Sequence, residues 1–242
     1  MAVNFRCEGA LESPLQHTCT HAHSFRRRFL LALDPRFGRQ QEGFSEDPYL
    51  TKTLGAAHLL GLQGGSLGGP ETYLDNFTHA MVATVKHYAA YWLTSGGIDG
   101  SPADVSEQRL REIYLAPWEW LTTRGLRSVM AAQNMVNGRP MHANRRLLTS
   151  VLREEWGVAA ALVESDGGDC IGALQYGFHA AATREGAAIM AVEAGMDQDL
   201  GGMTFVLLNE SVAHNRTRQA HVDRAATNVL MSKFAAGLFE GV

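Results

Sequence analysis

Cysteine is scarce in this chain of 242 residues, which contains only 3 cysteines and 7 prolines. The cysteines are odd in number and scattered along the chain, which excludes a disulfide framework. No run approaches the ~18 consecutive apolar residues of a membrane span, and the first residues lack the apolar core of a signal peptide. We therefore expect a soluble globular protein that does not bind membranes, and the sequence leaves its compartment open.

An excess of charge of one sign is also missing. The chain has 21 basic and 25 acidic residues, a net charge of −4 and a pI near 6.2, so nothing favours nucleic-acid binding. Hydrophobic residues make up 45%, which excludes intrinsic disorder and suffices for a sizeable core. An α/β barrel is a natural candidate for a chain of this length.

The first 27 residues differ from the rest because they lack apolar periodicity and are rich in His, Ser, Thr and Arg. We expect 1–27 to be a poorly ordered segment and 28–242 to form the folded domain. Four side chains of this segment are metal ligands by type, namely His17, Cys19, His21 and His23. Their spacing is not that of a zinc finger, so we expect no resident metal there.

Short apolar runs alternate with longer amphipathic stretches along the remaining chain. Strands are predicted at 29–33, 81–85, 128–132 and 159–163. Helices are predicted at 48–62, 110–121 with a kink at Pro117, 147–156, 181–194 and 222–238. This alternation favours a parallel sheet covered by helices, and it leaves open whether the sheet closes into a barrel.

Polar side chains follow each predicted strand. Arg39 lies shortly after the first, Lys86 and His87 after the second, Gln133 after the third and Asp166 after the fourth. In a barrel the carboxyl ends of the strands meet on one face, so these side chains are expected to share one pocket. Such a pocket suits a polyhydroxylated or anionic ligand, and its carboxylate is a candidate base or nucleophile.

Each of these residues also has a structural interpretation. Asp166 is followed by two glycines and could cap a helix. Lys86 could pair with a structural acid, His87 could be a satisfied core histidine, and Arg39 could cross a loop in an ion pair. Their clustering at four strand ends favours a site.

Five segments around these strand ends carry a resemblance to a known family. They are DPRFGR at 34–39, KHY at 86–88, SVM through VNG at 128–138, LLT through EWG at 147–157, and SD at 165–166. In this order they resemble glycoside hydrolase family 3, the β-glucosidase and β-xylosidase family, from about Leu31 to Gly241. The resemblance implies a (β/α)8 TIM-barrel-like α/β fold that lacks its first strands.

The resemblance also implies roles for the polar residues. Asp166 would be the nucleophile of a retaining hydrolase that removes terminal non-reducing β-linked glucose or xylose. Arg39, Lys86 and His87 would hydrogen-bond the sugar hydroxyls, and Gln133 would lie in the substrate pocket beside Asp166. The implied partner is a carbohydrate, and no metal or organic cofactor is implied.

The chain departs from the family pattern at several points. Gly167 stands where the family often has an aromatic residue, and Gln133 stands where it usually has Tyr. Lys86-His87 continues as Tyr88, which disfavours the N-acetylhexosaminidase branch with its KHFPGHG-type loop.

The resemblance does not extend to the family's opening barrel strands or to the second domain that supplies the acid/base Glu in the β-glucosidase branch. We therefore expect weak activity or none from this chain alone, with a second domain or an oligomer partner supplying what is missing. The alternative is a non-catalytic glycan-binding or partner-binding remnant of the same fold. A metal-dependent barrel hydrolase is a third possibility.

Overall fold

The computed structural model describes residues 28–31, 33–65, 82–93, 95–236 and 238–239. The segment 1–27 lies outside the described residues, as do Ala32 and Met81 of two predicted strands. The strands are β1 (Arg28–Leu31), β2 (Gly43–Ser45), β3 (Thr84–Tyr88), β4 (Ser128–Ala131), β5 (Met135–Val136), β6 (Arg139–Pro140) and β7 (Leu162–Glu164). The α-helices are α1 (Pro48–Leu62), α2 (Glu107–Arg109), α3 (Ala116–Thr122), α4 (Ala173–Tyr176), α5 (Arg184–Ala194), α6 (Leu208–Ala213) and α7 (Gln219–Ala235). Two π-helical segments join them, Leu110–Leu115 and Arg146–Glu155.

The central sheet is parallel, with the strand order β3, β4, β7. Val129 of β4 lies opposite Val85 on one side and Val163 on the other. Every residue of β4 and β7 is buried, because helical crossovers cover a parallel sheet on its faces. The predicted parallel sheet with covering helices is confirmed.

The remaining strands form smaller ladders. β1 and β2 pair in parallel, and β5 and β6 pair antiparallel. Among the described residues, the ladders make sheets of three, two and two strands rather than one closed ring. β1 packs beside β3, so the loop that follows β1 lies next to the central sheet.

Two predicted strands lie further along the chain than expected. β3 spans Thr84–Tyr88, so Lys86 and His87 are inside the strand and not after it. The strand extends beyond the apolar run 81–85 because it continues to pair with β4, where Lys86 lies opposite Met130. β7 likewise spans Leu162–Glu164 instead of 159–163. The apolar runs locate these strands, whereas pairing with the neighbouring strand sets their ends.

The first two predicted helices follow local chemistry. Helix α1 begins as predicted, with the Asp47 side chain accepting from the Leu50 N–H at 2.7 Å and with Pro48 in the first turn. The helix predicted over 110–121 consists of two parts, a π-helical segment at Leu110–Leu115 followed by the α-helix α3. Pro117 lies in the first turn of α3, where its missing N–H is not needed. The expected kink at Pro117 is thus a change from π to α geometry.

The later helices are offset by their caps. Helix α5 begins at Arg184 and not at Ala181, because the Thr183 hydroxyl accepts from the Gly186 N–H at 3.0 Å. It ends as predicted at Gly195, whose φ of 120° lies in the region that glycine tolerates best. Helix α7 spans Gln219–Ala235, so it begins and ends about three residues before the predicted range 222–238.

An aromatic cluster anchors the carboxyl end of β3. The Tyr88 ring packs edge-to-face on Trp118 with centroids 5.1 Å apart and on Trp156 at 6.1 Å. Phe29 meets the same Trp118 ring at 5.1 Å. The buried Tyr88 hydroxyl donates to the Leu147 carbonyl at 3.0 Å, so its polar atom is satisfied. This packing fixes the backbone that carries the neighbouring His87.

A buried ion pair anchors β7. Arg153 and Asp197 are 6% and 0% exposed, and their side chains meet at 2.6 Å. The same Asp197 oxygen accepts from the Val163 N–H at 2.9 Å, and the other accepts from Asn228 at 3.1 Å. The Arg153 guanidinium also donates to the Ala161 carbonyl at 2.8 Å. These bonds join β7 to its flanking helices and fix the start of the segment that leads to Asp166.

Candidate active site

Three neighbouring strand ends bring donors to one carboxylate, that of Asp166. The Asp166 Oδ2 lies 3.1 Å from His87 Nε2, at the end of β3, and accepts from Gln133 Nε2, just after β4, at 2.8 Å. Its Oδ1 accepts from the Gly167 N–H at 2.8 Å. Residues that are 79 and 33 positions away in sequence from Asp166 therefore meet it directly, as expected for adjacent parallel strands.

The electrostatic environment keeps Asp166 ionised. Burial raises the pKa of the carboxyl, but the His87 hydrogen bond, the Lys86 charge and the Gly167 N–H outweigh it. The net result is a pKa well below the ordinary value of an aspartate. With 22% of its side chain exposed, Asp166 is an accessible anion at neutral pH.

His87 is a fully buried, neutral histidine. Burial lowers its pKa to about 4, and the hydrogen bond to Asp166 offsets only part of that effect. The charges of Lys86 and Arg39 lower it further. The neutral ring therefore donates its Nε2 hydrogen to Asp166, because the carboxylate can only accept. His87 is therefore a buried core histidine, as one interpretation predicted, and its polar partner is Asp166.

Arg39 reaches this cluster through an aromatic residue and not directly. Its guanidinium donates to the Tyr91 hydroxyl at 3.1 Å and contacts Asp99 at 3.0 Å and Glu42 at 3.2 Å. The Tyr91 ring packs on His87 with centroids 4.7 Å apart. The loop ion-pair interpretation of Arg39 is thus correct, and the same pairs hold Arg39 beside the Asp166 cluster.

The partners of Arg39 could not be predicted from the sequence. Tyr91, Asp99 and Glu42 were not predicted as partners of Arg39, because residues that join loops from different parts of the chain carry no periodic signal. Tyr91 comes four residues after His87, and that short separation was the one available clue. The neighbouring Arg36 pairs instead with Asp34 at 2.7 Å and is 68% exposed, so it lies outside the cluster.

The helix-cap interpretation of Asp166 is wrong. Its side chain accepts from the N–H of the adjacent Gly167, and the next helix, α4, has Gly172 at its N-cap. The charge of Lys86 acts on both Glu164 and Asp166, so its interpretation as the partner of a structural acid stays a prediction.

The described part of the chain contains no group of three or more His, Cys, Asp or Glu side chains able to hold a metal ion. The candidate ligands His17, Cys19, His21 and His23 lie outside the described residues. Within that same part of the chain, no helix combines the length and apolar character needed to cross a membrane.

Comparison with known proteins identifies the family. Residues 30–231 match the Glycosyl hydrolase family 3 N terminal domain. This chain belongs to glycosyl hydrolase family 3. A family 3 relative, the beta-xylosidase of Formosa agariphila, is 37% identical over 216 residues, which are 86% of this chain and 29% of that protein. The periplasmic beta-glucosidase of Salmonella typhimurium is 34% identical over 207 residues, 85% of this chain and 26% of that protein.

The fold agrees with the family assignment. The crystal structure of a beta-glucosidase from Listeria innocua in complex with glucose superposes with a TM-score of 0.81 at 30% identity. The superposition covers 89% of this chain and 29% of that one. The chain thus spans less than a third of the length of these family 3 relatives.

Proposed function

We propose that this chain carries the nucleophile of a retaining β-glycosidase that removes terminal β-linked glucose or xylose, in a (β/α)8 barrel-like fold. The observation that carries the proposal is the ionised, partly exposed Asp166 held by donors from two neighbouring strand ends. The names of the relatives, beta-xylosidase and beta-glucosidase, and the glucose in the Listeria innocua complex support this class of sugar.

The carboxylate is arranged for attack on an anomeric carbon. His87 and Gln133 both contact Oδ2, whereas Oδ1 has a single N–H partner, so Oδ1 keeps a lone pair for the new bond. In the first step Oδ1 bonds to the anomeric carbon while the bond from that carbon to the leaving oxygen breaks and its electron pair stays on that oxygen. Water then attacks the same carbon, loses a proton and releases Asp166 as the carboxylate.

The other site residues fall into two groups. His87 is 0% exposed and its Nε2 faces Asp166, which suits it to orient the nucleophile. Gln133 adds a second donor to the same oxygen. The Lys86 charge acts on the carboxylate, and Arg39 lies beside the cluster through its contact with Tyr91. We assign both cations to the sugar hydroxyls, where charge-assisted bonds fix the ring.

The leaving oxygen needs a proton, and retaining hydrolysis obtains it from a second carboxyl group about 5 Å from the first. Asp166 is one such group. We propose that the proton comes from a second domain or a partner, as in the β-glucosidase branch that the motifs resemble. We therefore expect slow turnover by this chain alone of substrates whose leaving group must be protonated.

The test is covalent capture with 2,4-dinitrophenyl 2-deoxy-2-fluoro-β-D-glucoside, followed by intact-protein mass spectrometry. Dinitrophenolate leaves without a proton, and the 2-fluoro group slows hydrolysis of the adduct, so capture does not depend on an acid. We expect one glucosyl adduct on Asp166. The Asp166→Asn variant should form none, and the matched Asp223→Asn variant, which changes an exposed residue of α7, should react normally.

Two results would contradict the proposal. One is an adduct that persists in Asp166→Asn. The other is glucose binding by calorimetry without any capture, which would favour the non-catalytic glycan-binding alternative.

A further inference from the structure

A second carboxyl group lies buried two residues before the candidate nucleophile. Glu164 is the last residue of β7, two residues before Asp166, and it is 0% exposed. An ionised carboxylate is costly at a buried position, because the protein replaces water poorly as a solvent for charge. A buried acid in a strand otherwise composed of Leu and Val suggests a polar role at this position.

The register of the sheet places Glu164 in the same row as a cation of the site. Lys86 lies opposite Met130, and Met130 lies opposite Glu164. Residues in one row of a parallel sheet point to the same face, and neighbouring strands are about 4.8 Å apart. Lys86 and Glu164 are thus separated by strand β4 alone. The side chains of a lysine and a glutamate are together long enough to meet across one strand.

The charged groups around Glu164 come from few elements. From β3, the Lys86 charge and the Thr84 hydroxyl both lower the pKa of the carboxyl, and the charge of Asp166, from the following loop, raises it. Two neutral residues pair with Glu164 along the backbone, namely Met130 of β4 and Gln198. Helix α7 adds Lys233, which lines a cavity of about 190 Å³ together with Thr84, Ser128 and Gln198.

The Lys86 charge therefore acts on two carboxyl groups that differ in ionisation. Asp166 has a lowered pKa and is charged throughout the neutral range. Burial raises the pKa of Glu164 to about 7, and the negative charge of Asp166 adds to that shift, while Thr84 and Lys86 oppose it. The Glu164 carboxyl is the acid of this row that changes charge near neutral pH. Its ionisation adds a second negative charge, besides that of Asp166, that attracts the Lys86 ammonium.

We propose that Glu164 is a positioning residue that controls where the Lys86 ammonium is held. When Glu164 is neutral, the ammonium is available to Asp166 and to the sugar hydroxyls. When Glu164 is ionised, it attracts the ammonium away from them and weakens both contacts. This inference rests on the proposed function of Asp166 and Lys86.

The test measures the rate of glucosyl capture between pH 5.5 and 8.5 with the same activated donor. His87, with a pKa of about 4, and Asp166, with a pKa lower still, have both lost their protons below this window. We expect the rate in the unmodified chain to fall about fivefold as pH rises through 7, the size of one weakly screened charge interaction. Glu164→Gln, which mimics the neutral acid, should keep the faster rate throughout.

A second variant and a control complete the design. Glu164→Leu is also neutral and should show the same flat profile, which guards against misfolding around a buried amide. Glu154→Gln changes a glutamate that is 59% exposed and should keep the profile of the unmodified chain. A profile that is identical in the unmodified chain and in both Glu164 variants would overturn the inference while leaving the proposed function intact. Absence of capture in the unmodified chain would overturn the proposed function, and this inference with it.

Discussion

Gln133 donates its side-chain N–H to Asp166 Oδ2 at 2.8 Å, so this glutamine is a direct partner of the candidate nucleophile. The sequence analysis noted Gln133 as a departure from the tyrosine that the family usually has there. The contact shows that the glutamine supplies a hydrogen-bond donor to Asp166. Gln133 thus joins His87 and the Gly167 N–H in stabilising the charged form of Asp166.

Gln133→Leu should raise the pKa of Asp166. A hydrogen bond to a charged group is worth about 1.5–3 kcal/mol, which corresponds to one or two pH units. The acidic limb of the capture rate should therefore move to higher pH by about one unit or more. Because the limb of the unmodified chain lies well below the ordinary aspartate value, capture rates from about pH 2 upwards measure this shift. The matched control is Gln219→Leu, which removes an amide that donates to the exposed Asp223, and here the acidic limb should stay in place. An acidic limb that does not move in Gln133→Leu would show that the contact between Gln133 and Asp166 does not affect the pKa of Asp166.

Gly167→Trp should strengthen sugar binding. A side chain at Gly167 would enter open space, and the residue lies next to Asp166. An indole there could cover a sugar face, and burial of about 40 Å² of apolar surface is worth roughly 1 kcal/mol, or about fivefold in affinity. Calorimetry with glucose measures this gain. Gly201→Ala is the contrasting variant, since its Cβ would overlap the Gly168 backbone and should destabilise the loop. Unchanged affinity in Gly167→Trp would place the sugar away from this position.

His142 should make the fold sensitive to acid. It is 1% exposed, both ring nitrogens lack a hydrogen-bond partner among the described residues, and burial lowers its pKa to about 4. The unfolded chain gains this proton near pH 6.5, so stability is full above that pH and is lost as pH falls towards 4. The loss from this residue is about 3 kcal/mol.

Urea unfolding of His142→Leu at pH 6.5 and 4.5 tests this expectation. The variant should lose distinctly less stability on acidification than the unmodified chain. His214→Asn, which alters an exposed histidine, should retain the original acid sensitivity. An equally steep loss in His142→Leu would assign the acid sensitivity to other groups, such as His87.

Arg153→Met should destabilise the fold by about 3–5 kcal/mol, because it leaves the buried Asp197 without its 2.6 Å partner. Arg111→Met removes an exposed arginine that contacts Glu155, and such pairs contribute about 1 kcal/mol or less. Chemical denaturation of the two variants at neutral pH compares the costs directly. Equal costs would mean that Asp197 finds another partner, Arg224 being the nearest at 3.6 Å.

The sequence by itself determined the type of most elements and the positions of the functional side chains along the chain. Asp47 with Pro48 set the start of α1, and Gly195 set the end of α5, because caps and glycine act over a few neighbouring residues. The order of the motifs and the clustering of Lys86, His87 and Asp166 at strand ends were likewise readable, since the carboxyl ends of parallel strands converge.

Only the tertiary structure decided how these residues meet. Pairing across the sheet placed Lys86 and His87 inside β3 and aligned Lys86 with Glu164, because register depends on the neighbouring strand and not on the apolar run. Contacts between distant loops linked Arg39 to Tyr91 and Asp99. Burial then separated the pKa values of Asp166, His87 and Glu164, since the cost of a charge depends on the solvent and partners around it and not on the residue type.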